Sequence, residues 1–425
     1  MAVVDPIIIP RADHAISRSR IDPDALKVLY RLHQFHHLAY LVGGSVRDLL
    51  LDRHPKDFDI GTSAHPYEVK RLFRNCWIIG RRFRLAHVKF GGKTIEVATF
   101  RRKVPMNEAL APPADDAPPP ETTEIGPHGH AMHHDNTFGT AEEDAFRRDF
   151  TLNALFYDIA TFSLIDYTGG LADLRAGLIR CIGDPDQRFV EDPVRMLRAV
   201  ALEARLDFRI DPPILEAIER KRLEMARSAP PRLLDEFYKI LRGGVAVRTF
   251  RGLRETGLLE AIAPELQFRA SDSLWQSLAA LDACRNRSSP ERLTNPILLG
   301  SLLVPLGFQA HVREDSSIGL GSLPLARGDV DRLRQILQVQ RRLLGDVSAP
   351  ARVRRGLAHR GVFPEALTWL EIHGDTPGIV ESWRSFVVES AAVYGPPTLE
   401  DGEGSRPKPR RRRRRRGRYR RPPLQ

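Results

Sequence analysis

Residues 41–60 read LVGGSVRDLLLDRHPKDFDI, and no other twenty residues constrain the fold as tightly. Ala39 to Val42 is a short apolar run and reads as a strand. Gly43 and Gly44 follow, tolerating positive φ and close approach of a ligand to the backbone. Ser45 can cap the helix that Val46 to Leu51 begins. Phe58 and Ile60 then start a second strand. Successive strand side chains point to opposite faces, so Asp57 and Asp59 share one face and Phe58 takes the other. The segment therefore demands a sheet with helices behind it, and it places two carboxylates close after a glycine turn.

That pattern suggests a chemistry. Backbone N–H groups at a helix start face an anion well, and Arg47 can fork onto a phosphate. Two carboxylates about 7 Å apart along a strand can bracket a pair of divalent cations about 3.5–4 Å apart. Hard oxygen ligands select Mg²⁺, which keeps waters and takes the rest of its shell from a nucleotide's phosphates. Taken singly, a glycine corner or a D-x-D is often only a turn and a solvated strand. Their order and spacing here favour phosphate chemistry.

Two further blocks carry charge in a patterned way. In EEDAFRRDFTLNALFYD, from Glu142 to Asp158, Arg147 and Arg148 stand beside Asp149. The arginines can face phosphates, and the carboxylate a ribose hydroxyl or a metal. In EDPVRMLRA, from Glu191 to Ala199, Asp192 before Pro193 reads as an N-cap with proline at the first helical position. Arg195 and Arg198 fall one turn apart on one helix face.

These blocks, in this order, resemble the class II tRNA nucleotidyltransferase and bacterial poly(A) polymerase family, over roughly residues 10–260. The resemblance implies a polymerase beta-like, α+β nucleotidyltransferase head with a mixed sheet, followed by an all-α neck and body. It puts Asp57 and Asp59 on two Mg²⁺ ions, with Mn²⁺ as the substitute, and makes Asp149 the third functional carboxylate. Gly43, Gly44, Ser45, Arg47 and Arg148 fall to the nucleotide, and Asp192 and Arg195, with Arg198 nearby, to selection of its base. Glu96, in TIEVATF, is a weaker candidate for a supporting carboxylate. The family divides between CCA addition to tRNA and polyadenylation. The run IGRRFRLAHV (Ile79 to Val88) and the N-terminal stretch IIIPRADHAISRSRIDPDALKVLYRL (Ile7 to Leu32) resemble the poly(A) polymerase I branch. The implied reaction is template-independent addition of AMP from ATP to RNA 3′ ends, in messengers, small RNAs or tRNA precursors. A CCA-adding enzyme is the first alternative and a non-catalytic RNA-binding protein the second. The presence of both Asp57 and Asp59 counts against the latter.

Arg81, Arg82 and Arg84 in that run are candidate RNA-backbone contacts. So is the C-terminal tail, with Lys408 and the consecutive Arg411, Arg412, Arg413, Arg414, Arg415 and Arg416. From residue 405 to 425 there are eleven Arg, one Lys and no acid. Subtracting those twelve charges from the net +11 leaves about −1 for all other residues. The basicity thus belongs to the tail, which cannot bury a core and would bind phosphate backbones with steep salt dependence.

The expected organisation is an arm (1–20), a catalytic domain (21–180) with an insert (104–136), a helical neck (181–260), a helical body (261–395) and a basic tail (396–425). His128, His130, His133 and His134 in the Pro-rich insert have the chemistry of transition-metal ligands, but a His-rich loop of this kind is more often incidental. Trp275, Trp369 and Trp383 read as core rather than base-stacking residues. Three cysteines without a C-x-x-C fit a reducing cytoplasm. No 18-residue apolar span is present, so no membrane crossing is expected. RNA-decay proteins are conceivable partners.

Overall fold

The computed structural model describes residues 5–80, 84–102, 137–310 and 319–394. The described chain divides into two compact units, residues 1–269 with 320–324, and residues 270–319 with 325–425. Head and expected neck thus share the first unit, and the break falls at Arg269 rather than near residue 260.

The head is built on β1 (Ile7–Ile9), α1 (Pro23–Gln34), β2 (Ala39–Val42), α2 (Gly44–Leu50), β3 (Ile60–Thr62), α3 (Pro66–Leu72), β4 (Cys76–Ile79), β5 (Leu85–Phe90), β6 (Lys93–Thr99), α4 (Ala141–Arg147), β7 (Leu155–Asp158) and β8 (Ser163–Asp166). The eight strands form one sheet in the order β1-β8-β7-β2-β3-β6-β5-β4. Only β3 and β6 pair in parallel; the remaining pairs are antiparallel. The expected mixed sheet is therefore present. All four residues of β2 are buried, as a central strand requires.

Local signals explain the helix starts. Asp22 accepts from the amides of Asp24 and Ala25 ahead of Pro23, a cap followed by a proline whose missing N–H costs nothing. Thr140 and Glu143 form a capping box at α4. Beneath the sheet, Tyr40, Val42, Phe100, Phe156 and Ile165 form a common core with Ala141 and Ala145.

The chain then turns helical: α5 (Gly170–Ala176), a short parallel pair of β9 (Leu178–Ile179) and β10 (Arg209–Ile210), and α6 (Pro185–Glu191), α7 (Val194–Leu206), α8 (Pro212–Lys221), α9 (Pro230–Leu241), α10 (Ala246–Glu255), α11 (Leu258–Ile262) and α12 (Pro264–Phe268). Pro230 and Pro231 occupy the first turn of α9 rather than the gap before it, where fixed φ suits a helix start.

The second unit carries α13 (Asp272–Arg287), α14 (Asn295–Leu303), α15 (Arg327–Gly345), α16 (Ala351–Ala358), α17 (Phe363–His373) and α18 (Pro377–Tyr394). Every residue of α14 from Pro296 to Leu303 is buried. Trp383 is fully buried and donates from Nε1 to the Leu343 carbonyl at 2.9 Å. Trp369 is also buried and Trp275 half-buried, so none of the three is an open stacking platform.

Candidate active site

The glycine turn joins β2 to α2. Gly43 has φ +70° and ψ −130°, a conformation that side chains resist. A Cβ there would meet Nη1 of Arg148 at 3.0 Å, so the turn and that guanidinium are pressed together. Helix α2 begins at Gly44, earlier than the sequence suggested. Ser45 therefore lies inside the first turn and caps nothing; its hydroxyl donates back to the Val42 carbonyl at 3.1 Å.

Asp57 and Asp59 lie in extended chain just before β3. The Asp59 carbonyl accepts from the Val42 amide at 3.1 Å, continuing the β2 ladder. Phe58 is buried and both aspartates are exposed, so the alternation holds. Asp59 is exposed as a residue, yet surrounding protein desolvates its carboxyl group. Its carboxyl is pushed up to about 6, first by desolvation, then by the charges of Glu96 and Asp57, with Arg148 opposing. Loss of solvent is the first cause, and the two neighbouring carboxylates add to it.

Arg47 departs from its expected role. It is buried, donating from Nη1 to Oδ1 of Asn153 at 2.6 Å and from Nε and Nη2 to Oδ1 of Asp48 at 2.9 and 2.7 Å. Burial pulls its guanidinium below the ordinary arginine value, with Asp48 opposing. A side chain so enclosed braces the glycine turn from behind instead of forking onto a phosphate. Asp48 passes the connection on, its other oxygen accepting from Arg205 of α7.

Asn153 is the junction of this network. Its Oδ1 takes Arg47, its Nδ2 donates to Oδ1 of Asp149 at 3.1 Å, and its carbonyl accepts from Arg148 at 3.2 Å. Asp149 also accepts from the Phe150 amide at 2.8 Å, and its Oδ2 lies 3.8 Å from Nη1 of Arg198. Arg148 is aimed by Asp144, on Nε at 3.2 Å and Nη2 at 3.0 Å. Arg188 of α6 holds this corner from the neck, donating to the carbonyls of Arg147 and Arg148. The structure thus joins Gly43, Arg148, Asp149 and Arg198 in one cluster.

The residues expected to select the base sit at the α6–α7 corner and along α7. Helix α7 starts at Val194, so Pro193 precedes the helix rather than opening it. Asp192 still accepts from the Val194 amide at 3.3 Å. Its carboxylate is also gripped at both oxygens by Arg232 of α9, at 2.8 and 2.7 Å. Arg195 donates to the Arg188 carbonyl at 3.0 Å and lies 3.4 Å from Glu191. Arg198 donates to Glu236 at 3.0 Å.

Sequence reasoning missed Asn153, Asp48, Arg188, Arg205, Arg232 and Glu236. Asn153 and Asp48 stood inside the blocks RRDFTLNAL and GGSVRD, and a polar residue in an otherwise apolar stretch was the available signal. Arg84 packs its guanidinium 5.8 Å from the Tyr67 ring. Arg81, Arg82, the His-rich insert and the tail residues Lys408 and Arg411 to Arg416 lie outside the described residues.

A mixed sheet bearing paired aspartates beside a glycine turn, with helices following, defines a nucleotidyltransferase. Residues 39–180 match the poly A polymerase head domain, and residues 207–269 match a probable RNA- and SrmB-binding site of polymerase A. Poly(A) polymerase I of Salmonella typhi is 43% identical over 346 residues, 79% of this chain and 72% of that protein. The CCA-adding enzyme of Lactobacillus helveticus is 35% identical over 271 residues, 60% of this chain and 63% of that one. In three dimensions the chain resembles the Bacillus stearothermophilus CCA-adding enzyme in complex with CTP, with TM-score 0.54, 25% identity, and coverage of 87% and 83%. The chain belongs to the class II tRNA nucleotidyltransferase and bacterial poly(A) polymerase family, and is an enzyme of the polynucleotide adenylyltransferase type.

Proposed function

We propose that the chain is a template-independent poly(A) polymerase that adds AMP from ATP to RNA 3′ ends in the cytoplasm, releases pyrophosphate, and serves RNA polyadenylation and decay. The observation that carries this is the exposed Asp57–Asp59 pair beside the glycine turn, in a chain with 43% identity to a poly(A) polymerase I.

Among the described residues no three His, Cys, Asp or Glu side chains are grouped to hold a metal ion by themselves. The residues nonetheless fit Mg²⁺. The donors are hard oxygens, their mutual repulsion is what a divalent cation relieves, and Mg²⁺ accepts two carboxylates with the remainder from water and phosphate. Asp57 and Asp59 would hold it, and bound there it would supply Lewis-acid polarisation at the α-phosphate and a more acidic 3′-hydroxyl.

The chain's own groups do the positioning. Arg148, fixed by Asp144 and the Asn153 carbonyl, sets positive charge against the glycine turn for the triphosphate. Arg47 and Asp48 hold that turn in shape. Asp149, oriented by Asn153, is placed to accept from a ribose hydroxyl. Asp192 and Arg195 present an acceptor and a donor for the base edge, once Asp192 exchanges its Arg232 contact for the adenine amino group. No covalent intermediate is required, since positioning and electrostatics carry phosphoryl transfer.

The second reading, CCA addition, is favoured by the likeness to the Bacillus stearothermophilus enzyme. Purified chain, Mg²⁺ and an unstructured RNA oligomer, given each nucleotide singly, separates the two. ATP alone should yield a long ladder. Incorporation of CTP comparable to ATP would overturn the proposal.

A further inference from the structure

The polymerase reading leaves the path of the RNA primer open, and the sheet order answers it. The glycine turn, Asn153 and Arg148 are attached to β2 and β7, on one side of Asp59 in the order β7-β2-β3-β6-β5-β4. In an in-line displacement the attacking and leaving oxygens stand on opposite sides of phosphorus. With the triphosphate on the β7–β2 side, the attacking hydroxyl arrives from the β6–β5–β4 side.

That side carries a continuous row of outward side chains. Ile60 is level with Val97, which sets Asp59 beside Glu96; Glu96 is level with His87, and His87 with Trp77. Residues at matched positions share a face. The alternate residues Ile95, Val97, Ala86, Val88 and Cys76 are buried on the other face. The row therefore runs across the open face from the catalytic aspartate to the edge strand, three strand spacings or about 14 Å. At its end Trp77 is 49% exposed, unusual for so large an apolar ring, and Nζ of Lys89 lies 5.0 Å from its centroid. The charge on this face is local: Lys89 is the cation beside the ring and Glu96, 3.4 Å from His87, is the acid nearer Asp59. Arg84 stacks on Tyr67 of α3 and Lys93 pairs with Asp22, on the helix-covered side.

An exposed aromatic ring with a cation over it is the chemistry that single-stranded nucleic acid uses: a base stacks on the ring and a phosphate meets the cation. We propose that the open face of β6, β5 and β4 is the track for the primer's single-stranded 3′ segment, with Trp77 and Lys89 forming a stacking subsite. At about 3.4 Å per stacked nucleotide, the base seated there lies about four nucleotides from the reacting end. The proposal rests on the polymerase reading and adds the substrate's route.

The test uses the full chain and steady-state extension of a decamer and a dinucleotide RNA. Trp77→Ala should raise the decamer KM about tenfold, leave the ATP KM and the turnover at saturating primer unchanged, and spare the dinucleotide, which is too short to reach. Lys89→Ala should act in the same direction, and Trp77→Phe should restore most of the loss. Both side chains are exposed, so folding is expected to persist, checked by thermal melting. An unchanged decamer KM in both alanine variants overturns the track, as does an equal loss on the dinucleotide. A change in oligomeric state in place of a change in KM would make the face a protein interface and also overturn it. Wild-type chain that extends no RNA overturns the polymerase reading itself, which separates that failure from this one.

Discussion

The head and the second unit bury polar groups for different purposes. In the head, Arg47 and Asp48 are each 3% exposed and are joined to Asn153 and Arg205. Enclosed charge of this kind is weak evidence for stability, and here it fixes a turn next to exposed aspartates. In the second unit the buried polar groups only complete an apolar interior. Ser301 donates to the Ile297 carbonyl within α14 and lies 3.1 Å from His373. His373 is pushed down to about 4 by burial, so it stays neutral near pH 7. The lesson is that buried charge marks where geometry must be held, and buried hydroxyls mark where a helix must pack.

The sharpest way to break this contrast is to remove the exposed charge. Asp59→Ala should lower turnover at least about a thousandfold, since several kcal/mol of charge stabilisation is lost at 1.36 kcal/mol per decade. The fold should persist and its melting temperature should not fall, because the ionised carboxylate that is removed is one that desolvation and neighbouring charge disfavour. Primer-extension rates with parallel thermal melts measure both, and a variant that keeps its turnover would remove Asp59 from the chemistry.

Asp48→Ala should act in the reverse sense, on the fold first. It strands two guanidiniums, one of them buried, at a cost of about 3–5 kcal/mol. Trp383→Ala in the second unit should cost a similar amount, about 3–5 kcal/mol, through a cavity. The comparison lies in the surviving enzyme. Asp48→Ala should raise the ATP KM, whereas Trp383→Ala should leave it where it was. If both variants change the ATP KM equally, the buried network has no special tie to the nucleotide.

Gly43→Ala is expected to be milder, about 1–2 kcal/mol, from φ +70° and the 3.0 Å approach to Arg148. The loss should fall on kcat/KM for ATP with little change for primer. Equal losses for the two substrates would argue for general unfolding of the turn.

The smallest expected effect is a pH dependence. Burial and neighbouring charge raise Asp59 from 3.8 to about 6. The folded protein therefore holds a proton that the unfolded chain releases earlier. Without metal, this contribution to stability is present below pH 3.8 and is lost as pH rises through about 6. Protons and divalent cations compete for the same oxygens. Thermal stabilisation by Mg²⁺ should accordingly weaken as pH falls through about 6, and Asp59→Asn should flatten that profile. A profile shared by wild type and variant would place the titration elsewhere.

How much of this was legible in the sequence follows from the same contrast. Alternation through D-F-D put Asp57 and Asp59 on one face because strand geometry has a fixed period. The glycine pair announced the turn because few other residues tolerate its φ. The Asp192–Pro193 pair announced the start of helix α7 to within one residue. Arg47 was misread because a guanidinium's partner is a tertiary fact: Asn153 lies 106 positions away in sequence. Arg232 was invisible for the same reason, 40 positions from Asp192. Ser45 failed as a cap through a shift of the helix start, a distinction that local sequence does not resolve. The row from Asp59 to Trp77 needed strand order and register, which no single segment encodes.

The most direct test of the account gives the purified chain two RNAs in one tube with Mg²⁺, ATP and CTP: an unstructured oligomer and a tRNA lacking its terminal CCA. The account predicts a long ladder of adenylates on the oligomer, lost in Asp59→Ala. Addition of C, C and A to the tRNA followed by arrest, with the oligomer untouched, would contradict it.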